Sequence, residues 1–194
     1  MNLVERVKKL LVAPTQEWAA IKAEPHTIAG LYTQYVMILA AIPAVAAFIG
    51  LSIVGYSGMG PTYRVPMAAG VSNMVLSYVL GLGSVYVIAL VIDALAPKFA
   101  GEKDFMQALK VAAFFPTAAW VAGIFYVIPA LAIFAIVGAL YSLWLLFTGL
   151  SHLMSVPEDK SVAYTAVVVL VAIVLMVVVS VVAALAIPSP SRGF

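Results

Sequence analysis

Residues 111–157 read VAAFFPTAAWVAGIFYVIPALAIFAIVGALYSLWLLFTGLSHLMSVP, and no Asp, Glu, Lys or Arg occurs between Lys110 and Glu158. A helix that crosses a bilayer needs about 20 predominantly apolar residues. The run is too long for one crossing and must hold two. The break falls at Ile128-Pro129, because proline has no amide hydrogen to give a helix and turns the residue before it away from helical geometry. Barrel strands would alternate apolar and polar positions. This run does not, and helices are the other way a chain in lipid satisfies its backbone.

Working outward, three more stretches lack Asp, Glu, Lys and Arg: Glu24 to Arg64, Arg64 to Asp93 and Lys160 to Arg192. The expected spans are residues 31–55, 71–95, 109–128, 130–151 and 163–187. Composition agrees. The 194 residues are 65% hydrophobic and 9% charged, with a mean hydropathy of +1.14, whereas soluble domains average about 45–50% and 25%. So few charges cannot cover a water-soluble domain of this size. The fold class expected is all-α: a polytopic membrane protein built as a bundle of five transmembrane helices.

Positively charged residues in short loops set orientation. Arg6, Lys8, Lys9, Lys22, Lys98, Lys103, Lys110 and Lys160 fall on one side, Arg64 and Arg192 on the other. The N-terminus is therefore expected in the cytoplasm and the C-terminus outside. The net charge of +2 gives no case for nucleic acid. The chain has no cysteine, which excludes disulfides and thiolate chemistry.

Three regions are expected: a cytoplasmic interfacial segment (1–30), the five-span domain (31–187) and a short extracytoplasmic tail (188–194). The N-terminus mixes charges among apolar positions and has no signal-peptide core. Leu3, Val7, Leu10 and Leu11 share one helical face, with Glu5, Arg6, Lys8 and Lys9 elsewhere. A second short helix follows Pro14, with Thr15 expected as N-cap, Glu17 in the first turn and Trp18 at headgroup level. Both helices are read as amphipathic and lying on the cytoplasmic face. Residues 55–70, rich in Gly and Pro, read as a turn-rich connection.

Asp93 is the most informative single residue. Ionisable groups in spans are rare and point to function. It lies near the end of the second span, where the helix dipole disfavours a carboxylate. Lys98 is close in sequence and Lys110 opens the next span; an interfacial residue in contact with water is the default reading of Asp93, an Asp93–Lys110 pair across the two helices is the structural hypothesis set against it, and a proton or ion relay is the third. Pro43 and Pro116 lie inside spans and should kink them, and Pro129 marks the break. Gly81, Gly83, Ser84, Gly123 and Gly138 permit close helix packing. His26 and His152 have no second ligand at helical spacing, so no metal site follows. No catalytic motif is present, and no cofactor is implied.

Several stretches carry a family resemblance: LLVAPTQEWAAIKAEP (10–25), AAIPAVAAFIG (40–50), VIDALAPKFAGEKDFMQALKVAAFFPTAAWVAGIFYVIPAL (91–131) and LWLLFTGLSHLMSVPEDKSVAYT (143–165). Together they resemble bacterial members of the YIP (Ypt-interacting protein) family. The resemblance implies five spans, a cytoplasmic N-terminus and the bacterial inner membrane. Eukaryotic relatives serve vesicle traffic and bind Rab-type GTPases through a long N-terminal region. Only about 30 residues precede the first span here, so that role is not carried over. Family position singles out Asp93, Gly101, Lys110, Pro116, Pro129 and the loop Pro157-Glu158-Asp159-Lys160.

The expected function is non-enzymatic: a scaffold or membrane-organising factor whose partners are the lipid bilayer and another copy of itself or other membrane proteins. The alternative is a small transporter or channel, as a homo-oligomer. Convergence of Tyr78, Tyr86, Asp93, Pro116 and Tyr126 on one interior cavity would favour transport.

Overall fold

A computed structural model describes residues 2–56 and 62–186, the side chains of residues 158 and 183–186 excepted. The expected tail, residues 188–194, lies outside the described residues, as do Arg192 and residues 57–61 of the turn-rich connection.

Two short helices open the chain. Asn2 caps α1 (Leu3–Val12), accepting from the Glu5 amide at 3.3 Å. α2 (Pro14–Ala23) follows after Ala13 alone. Its first residue is Pro14, whose fixed φ and missing amide hydrogen suit a first helical position. Thr15 therefore lies inside the helix and is not its cap.

The first spanning segment, Ile28–Val54, is composite. Thr27 caps α3 (Ile28–Leu31), a wider π-helical stretch covers Tyr32–Val36, α4 runs Met37–Phe48 with Pro43 inside it, and a second π-helical stretch ends the span at Ile49–Val54. The second is α5 (Met67–Leu95), tightening into a 3-10 turn at Ala96–Phe99. Asp104 caps α6 (Phe105–Phe114), accepting from the Met106 and Gln107 amides. Pro116 interrupts this third span outright, and α7 (Thr117–Ala122) resumes it before a 3-10 stretch at Gly123–Val127. The Thr117 hydroxyl bonds the Phe114 carbonyl at 2.5 Å, occupying a group that the break exposes. A turn centred on Pro129 leads into α8 (Phe134–Leu153), and α9 (Glu158–Ala186) closes the chain.

Among the described residues, five helical segments are thus long and apolar enough to cross a membrane, and the fold is an all-helical, five-span bundle. The break at Ile128-Pro129 is where proline chemistry puts it. The fourth helix starts at Phe134, later than the expected residue 130, because Pro129–Leu131 forms a 3-10 turn.

Glycines fix the tightest contact. The backbone of 123–127 packs directly on the first span: a Cβ on Gly123 would meet Pro43 at 2.6 Å, and one on Gly50 would meet the Tyr126 carbonyl oxygen at 1.9 Å. α9 stands apart, with 6% of its apolar window buried. It rests on α5 and α8; Tyr164 and Val168 are buried in the core, and Val169, Ala172 and Leu175 pack against it half-buried. The core itself gathers toward the end of the bundle that carries α1 and α2. There Leu10, Trp18, Ile21, Tyr35, Phe114 and Leu150 are fully buried.

Trp18 is 0% exposed, its ring enclosed by protein. The reason is a partner that no local pattern reveals: its indole N–H donates to the Thr148 hydroxyl at 3.0 Å, so the polar edge is satisfied inside and the apolar body can be buried.

Candidate functional site

The polar chemistry concentrates where α1 and α2 meet the spans. Lys110, on α6, is 2% exposed. Its ammonium donates to the carbonyls of Ile21 (2.9 Å), Lys22 (3.2 Å) and Glu24 (2.8 Å). These groups at the end of α2 have no partner within the helix and carry the negative end of its dipole. A lysine from the third span thus caps a helix from the N-terminus. Tyr141 does the same for α1, donating to the Leu11 carbonyl at 2.8 Å. Lys22 returns the link by donating to the His152 carbonyl (2.8 Å) and the Ser155 hydroxyl (3.1 Å) at the end of α8.

Beneath this lies an ion cluster. Arg6 bonds Glu17 at 2.5 Å and also bonds Glu24. Arg6 and Glu17 are each 6% exposed. The His26 ring stands 3.6 Å from the Glu24 carboxylate. Phe114 is the common floor: Trp18, His26 and Tyr35 meet its ring edge-on, and the Arg6 guanidinium lies 5.9 Å from its centroid. Tyr35 shares a 2.7 Å hydrogen bond with Thr117.

The electrostatics follow from this packing. Burial works to lower the Arg6 pKa, but the hydrogen bond it donates to Glu24 and the charge of Glu17 outweigh it and the net shift is upward. The hydrogen bond from Arg6 holds the Glu24 carboxyl below the ordinary carboxylate range. Burial pushes His26 below the ordinary imidazole value, with the nearby Lys110 charge adding to the effect.

The Asp93–Lys110 pair does not form. The Lys110 side chain turns toward α2, while the Asp93 carboxylate has Lys103, from the loop before α6, at 4.0 Å. Asp93 is 9% exposed, and its Oδ1 is buried without a hydrogen-bond partner. Beside it the Tyr164 hydroxyl bonds the Ile92 carbonyl, and Phe99 stacks on the Tyr164 ring at 4.8 Å. Lys98, Asp159 and Lys160 are exposed and form no ion pair among the described residues. The Glu158 side chain lies outside the described residues. His152 bonds the Thr148 carbonyl at 2.8 Å.

Gly101 joins the loops at this end. A Cβ there would meet Val156 at 2.6 Å and the Met154 carbonyl oxygen at 2.8 Å, and the Glu102 amide donates to that same carbonyl. The loop after α5 and the loop after α8 therefore form one surface with α2. Sequence reading missed Arg6, Glu17, Glu24 and Phe114. One signal was available: Glu17 and Glu24 are seven positions apart, about two helical turns, so they share a face.

The family model for the Yip1 domain matches residues 8–181. The chain belongs to the Yip1-domain family. The matched region takes in α2, Lys110, Asp93 and all five spans. Arg6 lies just outside it, so the Yip1-domain match itself includes the two glutamates but not their arginine. The chain is also similar to "Inner membrane protein YohC" of Escherichia coli strain K12, 26% identical over 157 residues, which is 79% of this chain and 80% of that protein. The same-named protein of Escherichia coli O6:H1 matches equally. No solved structure matches.

Proposed function

We propose that this Yip1-domain protein is a non-catalytic membrane scaffold that works through contacts at its N-terminal face. One observation carries the reading. The end of the bundle where a solute path would open is sealed by α1 and α2, with Trp18, Tyr35 and Phe114 fully buried beneath them. Channels need a lined, hydrated route. The five residues whose convergence would favour transport are dispersed. Tyr78 and Tyr126 line a hollow of about 240 Å³ beside Pro43. Tyr86 packs on Phe105 instead, and Asp93 sits by Lys103.

The surplus of Lys and Arg on the α1–α2 side supports a cytoplasmic N-terminus, and the name of the E. coli relative supports the inner membrane. The scaffold surface would then comprise α1, α2 and the loops around Gly101 and Lys160, presented to the cytoplasm. A homo-oligomer or another membrane protein is the expected partner.

Transport keeps one specific point in its favour, the buried and unpartnered Asp93 Oδ1. Purified protein in proteoliposomes, beside an Asp93→Asn variant, decides between the readings. The expected result is no proton or cation flux from either sample. Flux that Asp93→Asn abolishes would overturn the scaffold reading.

A further inference from the structure

At the opposite end of the bundle a groove of about 410 Å³ opens between the end of the first span, the start of α5 and the last turns of α9. Its volume lies within the range of small-ligand sites. The walls are apolar: Phe48, Leu51, Met74 and Val179 contribute. Ser52 is 6% exposed, and its hydroxyl, buried against Gly70, makes no hydrogen bond among the described residues. Asn73 is half-buried, and its amide makes no hydrogen bond among the described residues. Ser77 and Ser180 also line the groove, but their hydroxyls donate to their own helices.

An unspent donor on an apolar wall is costly. The groove suits a ligand with oxygen acceptors and an apolar body. Depth narrows its class. The 29 residues of α5 span about 43 Å at 1.5 Å each, close to the roughly 40–45 Å of a bilayer with its headgroups. Asn73 lies about 9 Å inside the start of α5, near the boundary between headgroups and hydrocarbon. Acyl-ester oxygens occupy that level. Arg64, exposed and next to the lining residue Val65, puts a cation at the rim, its Nε donating to the Val54 carbonyl at 3.4 Å.

We propose that this groove is a binding site for a glycerophospholipid. The Asn73 amide donates to the ester region, Arg64 attracts the phosphate, and the acyl chains run along α9. The site is independent of the scaffold reading, since it occupies the other end of the molecule.

The test is native mass spectrometry of delipidated full-length protein titrated with phosphatidylglycerol, alongside thermal unfolding with and without that lipid. One lipid per chain should bind saturably. Asn73→Leu should weaken binding at least tenfold and remove the lipid-induced rise in melting temperature, with the lipid-free midpoint equal or higher. Arg64→Gln, a change at an exposed site, should weaken binding about threefold. Binding undiminished in these variants would overturn the proposal. So would displacement of the lipid by glycerol 3-phosphate, which would assign the site to a soluble phosphate. Because the chain has no cysteine, Asn73→Cys offers a further check: a disulfide-linked dimer on mild oxidation in membranes would assign the groove to a second copy.

Discussion

Replacing Lys110 with methionine keeps most of the side-chain stem and removes the ammonium. The wild-type group makes three hydrogen bonds to backbone carbonyls at the end of α2. Hydrogen bonds involving a charged partner contribute about 1.5–3 kcal/mol each. Their simple sum overstates the effect, because the freed carbonyls recruit water once α2 lifts away and the lysine no longer has to be desolvated. A net loss of about 3 kcal/mol is a reasonable magnitude, and at 1.4 kcal/mol per decade it raises the population with α2 released roughly a hundredfold. Hydrogen exchange read by mass spectrometry in lipid nanodiscs would measure it. Amides of α2 should exchange about a hundredfold faster in Lys110→Met, while those of α8 stay protected. Exchange in α2 within threefold of wild type would refute the idea that Lys110 holds this helix in place.

Acid should loosen the same face in two stages. His26 carries a pKa lowered by burial, so the released segment takes up a proton first; docking is fully stable above the ordinary value of 6.5 and is lost as pH falls from there toward the folded value. Glu24 carries a pKa lowered by its hydrogen bond from Arg6, so its contribution is present above 4.5 and disappears as pH falls through that value toward the folded one. Exchange of α2 amides followed against pH should show both stages, and His26→Gln should abolish the first alone. Gly101→Ala should destabilise the protein in detergent by about 1–3 kcal/mol through overpacking against Val156 and Met154, whereas Gly81→Ala, with nothing within 4 Å of the added carbon, should leave the melting temperature equal or higher.

The spans were legible because lipid imposes its demand locally. A charge-free stretch of sufficient length has few other uses, and Pro129 divides the longest one. The N-terminal face was much less legible. Arg6 falls on what looks like the solvated side of α1, and its burial is explained by partners beyond that helix, among them Glu17 and Glu24. Lys110 sits near Asp93 when spans are drawn as parallel rods. Its rotation about the α6 axis, which sequence does not report, aims it at α2, and Lys103 in the preceding loop takes the place by Asp93. The burial of Trp18 was missed for a related reason. Its partner Thr148 is 130 positions away, and no window of sequence contains both.

That separation also orders events in time. α1 and α2 leave the ribosome before the spans that receive them, since Lys110 follows Ile21 by 89 positions and Thr148 follows Trp18 by 130. At about 5–20 residues per second, the completed receptor for these helices appears roughly 6–26 s after they do. Arg6, Glu17 and Glu24, all within 18 positions of one another, can pair before any receptor exists. The two helices can thus keep their charges satisfied while they wait, and their docking is among the last steps of assembly.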